Sequence, residues 1–227
     1  MLQVYLVRHG ETQWNAERRI QGQSDSPLTE KGVQQAWQVA ERARTLGITH
    51  VITSDLGRTQ QTARIIADAC GCDVLLEPRL RELDMGVLEK RHIDTLTETE
   101  EGWRRTLVNG TEDGRIPEGE SMQELSVRMH AALAECLKLP AGSRPLLVSH
   151  GLRWDVWSAP FWGYRPMRSA VCVCATALFP VLIIRKARGW RRDGSLRWQG
   201  TFRILMPLHW MNCSANDGSG LRIPSAD

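Results

Sequence analysis

The chain has 227 residues with a formal charge of +3, long enough to bury a sizeable core in one domain. Its six cysteines (Cys70, Cys72, Cys136, Cys172, Cys174 and Cys213) form no CxxC pair, which argues against a zinc or dithiol redox motif. The charge is split: residues 1–150 hold 18 Lys+Arg against 22 Asp+Glu, while residues 151–227 hold 11 against 4.

The opening Met1-Leu2-Gln3-Val4-Tyr5 lacks a basic leader region, so the expectation is a cytoplasmic protein. Leu2 to Val7 reads as a buried strand ending at Arg8-His9-Gly10. Thr29 is placed to cap a helix with Val33, Ala36, Trp37, Ala40 and Ala43 on one face, closed by Gly47. His50 to Thr53 predicts a second strand. Ser54-Asp55-Leu56-Gly57-Arg58-Thr59 then opens a helix burying Ala63, Ile65, Ile66 and Ala69. Asp73 to Leu76 predicts a third strand, and residues 87–119 a polar excursion over the sheet edge. Ser121-Met122-Gln123-Glu124 is a capping box before a helix with Leu125, Met129, Ala132, Leu133 and Cys136 inward. Pro145 to His150 predicts a fourth strand. The alternation gives a three-layer α/β sandwich with a largely parallel central sheet.

Arg8-His9-Gly10-Glu11-Thr12 places a histidine where strand becomes loop, the end of the strand at which α/β proteins gather ligands. A neutral imidazole can attack phosphorus, and a neighbouring arginine offers a planar fork to phosphate oxygens. On its own, such a histidine is an ordinary structural one. Its neighbours decide.

The stretch from Arg8 to Asn15, then Gln21-Gly22, then Asp25 to Gly32 resembles the signature of the histidine phosphatase superfamily, in the cofactor-dependent phosphoglycerate mutase family. Ser54 to Ala63 resembles the second motif, Leu80-Arg81-Glu82 the third and Val148-Ser149-His150-Gly151 the fourth. The resemblance implies that His9 is the phosphorylated nucleophile and Glu82 the proton donor and acceptor. It places Arg8, Arg58 and His150 around the phosphoryl group, with Gly10, Glu11, Thr12 and Gly151 beside them. Asn15, Gln21, Gly22 and Gln60 resemble further phosphate or substrate contacts. Arg104 and Arg105 are candidates for a substrate carboxylate, against the bland reading of a solvated face. No metal is implied, and 2,3-bisphosphoglycerate is the implied phosphoryl primer. The implied reaction is interconversion of 2- and 3-phosphoglycerate, with a phosphomonoesterase using water as acceptor as the alternative. The partner expected is a small phosphorylated substrate, not nucleic acid or a membrane. A pure phosphate-binding module is disfavoured, because a binder needs no proton shuttle at Glu82. His50, His92, His130 and His209 lie in no motif and receive no role. Trp37 and Met129 are expected in the core, and Cys70 and Cys72 in a buried turn.

After Gly151 the text changes. Residues 1–150 contain fifteen glutamates and residues 151–227 none, while six of the nine tryptophans lie there. Leu152 to Pro160 has mixed faces and an early proline where the resemblance implies an apolar helix. The expectation is a change of reading frame at or just after Gly151. Residues 1–151 would then form the catalytic domain and 152–227 an aberrant, poorly ordered tail that impairs activity. The competing reading is a divergent basic domain that binds nucleic acid. Ala170 to Ile184 is apolar but too short for the ~20 residues that span a bilayer.

Overall fold

The computed structural model describes residues 2–108, 114–151, 181–184 and 203–205. Strand β1 (Leu2–Arg8) leads through a one-turn helix α1 (Gln13–Ala16) to helix α2 (Glu30–Leu46) and strand β2 (His50–Thr53). Helix α3 (Gly57–Cys70), strand β3 (Val74–Leu76), helix α4 (Glu98–Val108), helix α5 (Met122–Cys136) and strand β4 (Pro145–Ser149) follow. Strands β5 (Val181–Ile184) and β6 (Arg203–Leu205) complete one six-stranded sheet, in the order β3-β2-β4-β1-β5-β6. The pairings among β3, β2, β4 and β1 are parallel, and those of β5 with β1 and β6 are antiparallel.

Alternation along β1 and β4 builds two cores. Tyr5, Val7, Leu146 and Val148 face α2 and α3, where they meet Val39, Ala40, Ala43, Ala63 and Ile66. Val4, Leu6 and Leu147 face the other way, onto Leu80, Leu83, Leu125, Met129 and Leu133. Both faces of the parallel strands are therefore covered, as a parallel sheet requires. Each fully buried Leu or Val contributes about 1.5–3 kcal/mol over its exposed state. The capping signals also form. Thr29 accepts the Gly32 amide at the start of α2, Gly47 closes that helix, and Ser121 and Glu124 complete their reciprocal box at α5.

One core assignment is corrected. Trp37 is 52% exposed, whereas Met129 is buried as expected. The inward stripe of α2 is Gly32, Ala36, Val39, Ala40 and Ala43. Trp37 lies one residue, about 100°, away from Ala36 and so falls off that stripe. Small residues there let α2 pack close to α3. Cys70 and Cys72 flank the Gly71 turn and are half-buried. The expectations for residues 152–227 lie outside the described residues, apart from β5 and β6. No helix among the described residues is long and apolar enough to cross a membrane.

Candidate active site

Register brings the two histidines together. Arg8 of β1 is paired with Ser149 of β4, and the His9 amide continues the ladder to the Ser149 carbonyl at 3.0 Å. The next residue of each strand is thus a histidine at the same sheet edge. The rings of His9 and His150 meet edge to face, centroids 5.3 Å apart. Strand β2 flanks β4 on the other side, and the Ser54 amide donates to the Val148 carbonyl at 3.1 Å. The carboxyl ends of three adjacent parallel strands therefore supply His9, His150 and Ser54, and α3 leaves β2 carrying Arg58.

A hydrogen bond to a backbone carbonyl assigns His9 its tautomer. His9 Nδ1 lies 2.7 Å from the Gly10 carbonyl oxygen, which can only accept. Nδ1 therefore carries the proton, and Nε2 is left with its lone pair. Ser54 Oγ accepts the Leu56 amide proton at 3.3 Å and lies 3.0 Å from His150 Nε2. The serine hydroxyl, with one proton and a second lone pair, pairs with Nε2 in either tautomer of His150, as donor to it or as acceptor from it. His150 Nδ1 is buried without a hydrogen-bond partner among the described residues. Both rings are held well below the ordinary histidine range. Burial is the main cause for each; Arg8 and Arg58 add to it at His9, and Arg58 and His9 at His150. The result is a bare nitrogen on His9 beside an unpartnered ring nitrogen on His150, both rings uncharged at neutral pH.

Arg58 is 1% exposed. Its Nη1 donates to the Ser24 carbonyl at 2.8 Å and to Asp25 Oδ1 at 2.9 Å, and its Nη2 donates to the Gly22 carbonyl at 2.7 Å. These bonds lock the guanidinium onto the 22–25 loop and leave Nε, which is buried, without a partner among the described residues. Arg8 keeps an exposed flank, yet burial lowers its pKa; nearby Glu82 opposes that shift and Arg58 adds to it. Its guanidinium lies over Gly151, where a Cβ would stand 2.6 Å from Arg8 Cζ. Glycine there is a condition for the arginine's position. Two arginines, one with an unspent N–H, beside a bare imidazole nitrogen have the chemistry to receive a tetrahedral anion.

Glu82 follows a 3-10 turn, Pro78–Leu80, after β3. Ser149 Oγ holds that turn through the Leu80 carbonyl at 2.9 Å, and Glu82 Oε1 accepts the Leu83 amide at 2.9 Å. Gly10 donates its amide to Thr62 Oγ1 at 3.1 Å, while a Cβ at Gly10 would run into the Gly32 backbone. The 10–11 loop thus lies directly on α2 and α3.

The remaining candidates support this centre or stand apart from it. Thr12 is fully buried and caps α1; its hydroxyl donates to Gln21 Oε1 at 3.0 Å, and Asn15 completes the box. Glu11 is tied to Thr29 and to Lys31, whose ammonium at 2.8 Å lowers its pKa. Gly22 offers its carbonyl to Arg58. Gln60 donates to the Asp55 carbonyl at 2.7 Å. Arg104 and Arg105 both close on Glu101 within α4, at 2.7 and 3.1 Å, and hold its pKa at about 2. The sequence gives no separate role to Asp25, Ser54, Thr62 or Arg128. The first three lie inside or beside quoted motifs, whereas Arg128 sits mid-helix with no local signal. Among the described residues no group of three or more His, Cys, Asp or Glu side chains could hold a metal.

The sequence pattern of the histidine phosphatase superfamily (branch 1) matches residues 4–172. The chain belongs to the histidine phosphatase superfamily. Within that superfamily it is 88% identical, over 152 residues, to a protein of Enterobacter sp. (strain 638) named "Probable phosphoglycerate mutase GpmB"; the match covers 67% of this chain and 71% of that one. A protein of the same name from Salmonella arizonae is 73% identical over 177 residues, covering 76% and 82%. Among solved structures, a mycobacterial glucosyl-3-phosphoglycerate phosphatase matches with a TM-score of 0.72 at 22% identity, over 90% of this chain and 97% of that one. The last likeness concerns the fold.

Proposed function

We propose that this chain moves the phosphoryl group of a small phosphomonoester to His9 and then to water. In the first half-reaction His9 Nε2 attacks phosphorus, the ester P–O bond breaks, and the Glu82 carboxylic acid protonates the departing oxygen. In the second, the Glu82 carboxylate takes a proton from water, the water oxygen attacks phosphorus, and the P–N bond breaks to release inorganic phosphate. Arg8 and Arg58 Nε donate to the equatorial oxygens, joined by His150 Nδ1 when its proton is on that nitrogen, and these donors stabilise the charge that the oxygens share. The Gly10 carbonyl supports the positive charge that His9 acquires on phosphorylation. The observation that carries the reading is the bare Nε2 of His9 beside two buried nitrogens, His150 Nδ1 and Arg58 Nε, that have no hydrogen-bond partner among the described residues.

Water is the favoured acceptor because the cations the sequence offers for a substrate carboxylate or second phosphate are engaged within the fold. Arg81, beside Glu82, is bidentate on Asp55, and Arg104 and Arg105 close on Glu101. A mutase must also hold a second phosphate and a carboxylate, in two orientations. The second reading, interconversion of 2- and 3-phosphoglycerate primed by 2,3-bisphosphoglycerate, is favoured by the names of the relatives at 73–88% identity. Incubation with 2,3-bisphosphoglycerate and 3-phosphoglycerate separates the two. Phosphate release without isomer exchange supports the phosphatase, and exchange faster than release supports the mutase.

A further inference from the structure

Arg128 of α5 spends all five of its N–H donors within one small region. Nη1 donates to the carbonyls of Arg79 and Arg81 at 2.8 and 2.6 Å. Nη2 donates to the Glu82 carbonyl at 2.8 Å and to Glu120 Oε2 at 2.7 Å, and Nε donates to Glu120 Oε1 at 2.6 Å. The Arg128 and Glu120 side chains are 19% and 13% exposed, so this is a sheltered, bidentate ion pair rather than a surface one.

The geometry has a consequence for Glu82. A residue's Cα–Cβ direction is fixed once the peptide planes on both sides of it are fixed. The Arg81 carbonyl belongs to the plane before Glu82 and the Glu82 carbonyl to the plane after it, and one guanidinium holds both. The Leu83 amide, which lies in the second of those planes, is also the group that binds Glu82 Oε1. Backbone and carboxylate are therefore oriented from a single point 46 residues away. We infer that Arg128 is a positioning residue for proton transfer: by clamping the 79–82 turn against Glu120 it aims the Glu82 carboxyl at the oxygen that leaves. The inference rests on the phosphoryl-transfer reading above. It assigns Arg128 no contact with substrate.

The test uses the full chain with Arg128→Gln, Arg128→Lys and Glu120→Gln. Two substrates are compared: p-nitrophenyl phosphate, whose leaving group needs no proton, and glycerol phosphate, whose alkoxide does. Arg128→Gln is expected to lose roughly 10–100-fold in kcat/KM on glycerol phosphate and under about 3-fold on the aryl ester, since kcat/KM reports phosphoenzyme formation, where only the alkoxide needs a proton, whereas water attack on the phosphoenzyme needs Glu82 whichever ester supplied the group. Arg128→Lys should recover little, because an ammonium cannot reproduce the planar fork. Glu120→Gln should show the same leaving-group pattern more weakly. Hydrogen exchange gives a readout independent of turnover: amides of Leu80, Arg81 and Leu83 should exchange faster in Arg128→Gln, with those of Leu146 to Val148 unchanged. Equal losses in kcat/KM on both esters, or full rescue by lysine, overturns the inference. A wild-type chain inert toward both esters would sink the phosphoryl-transfer reading instead, and unchanged exchange at 80–83 would still overturn the role given to Arg128.

Discussion

His9 Nδ1 lies 2.7 Å from the carbonyl oxygen of the next residue, Gly10, so the ring is pinned by its own backbone. That contact fixes which nitrogen faces the substrate, and it needs no carboxylate partner to do so. His9→Ala should therefore abolish an acid-labile phosphoenzyme. Trapping with labelled phosphomonoester, followed by acid and base treatment, checks this. Label retained at the wild-type level in His9→Ala would remove His9 from the nucleophile's role.

Glu82 can be separated from the anion clamp. Glu82→Gln should leave vanadate or phosphate affinity near wild type while slowing alkyl ester turnover by roughly 10²–10⁴-fold, the usual scale for a general acid–base group. Measured inhibition constants alongside kcat decide it. If binding fell as far as kcat, Glu82 would be part of the phosphate cradle.

Arg58 and Asp25 should respond unequally. Arg58→Lys deletes the fork that spans the Gly22 and Ser24 carbonyls and removes the Nε donor. A loss on the order of 10²–10³-fold in kcat/KM is expected, comparable to deleting one transition-state donor. Asp25→Asn should cost less than about tenfold, because the two carbonyls still hold Arg58 and the Asp25 side chain is 35% exposed. A larger loss for Asp25→Asn than for Arg58→Lys would mean that the carboxylate itself takes part.

The shift in composition after Gly151 carries its own prediction. A version of the chain whose residues 152–227 are replaced by the translation of another frame should melt higher and turn over faster. Each 1 kcal/mol gained would raise Tm by roughly 2–4 °C in a domain of this size. Equal melting and equal turnover would mean that the sequence after Gly151 serves the enzyme as it stands.

Much of this is legible in the sequence. The short apolar runs at β1 and β4 and the caps at Thr29, Ser121 and Gly47 are local signals, and the elements form where those signals lie. The pairing of Arg104 and Arg105 with Glu101 could have been foreseen from spacing, since i,i+3 and i,i+4 partners share a helix face. Trp37 could not be placed by period alone, because it borders the stripe and its size does not decide on which side it falls. Arg128 was invisible for another reason. Its meaning lies in carbonyls 46 to 49 residues away, and a carbonyl has no letter in the sequence.

The two buried histidines make a prediction about pH. Both have pKa values depressed well below 6.5, chiefly by burial, so the folded chain keeps them neutral where an unfolded chain would protonate them. Below about pH 6.5 the unfolded state thus binds more protons, and stability must fall as the solution is acidified. Their contribution is fully present above the unfolded pKa and is lost progressively as pH drops toward the folded values. Each ring adds up to about 1.4 kcal/mol of lost stability per pH unit in that window. Carboxylates such as Glu11 and Asp55, whose pKa values are lowered by Lys31 and Arg81, act in the same direction but at lower pH. Melting should be followed between pH 7.5 and 5 in a buffer free of phosphate, since a bound anion would itself stabilise the fold. His150→Gln should flatten the fall between pH 6.5 and 5 relative to wild type. Catalysis should behave differently in the same interval. His9 stays unprotonated well below pH 6.5, so phosphoenzyme formation from an aryl ester should show no acid limb at the ordinary histidine pKa. A limb there, with an unchanged melting curve, would mean that His9 is charged in the free enzyme and that the tautomer assigned from Gly10 is not the reactive one.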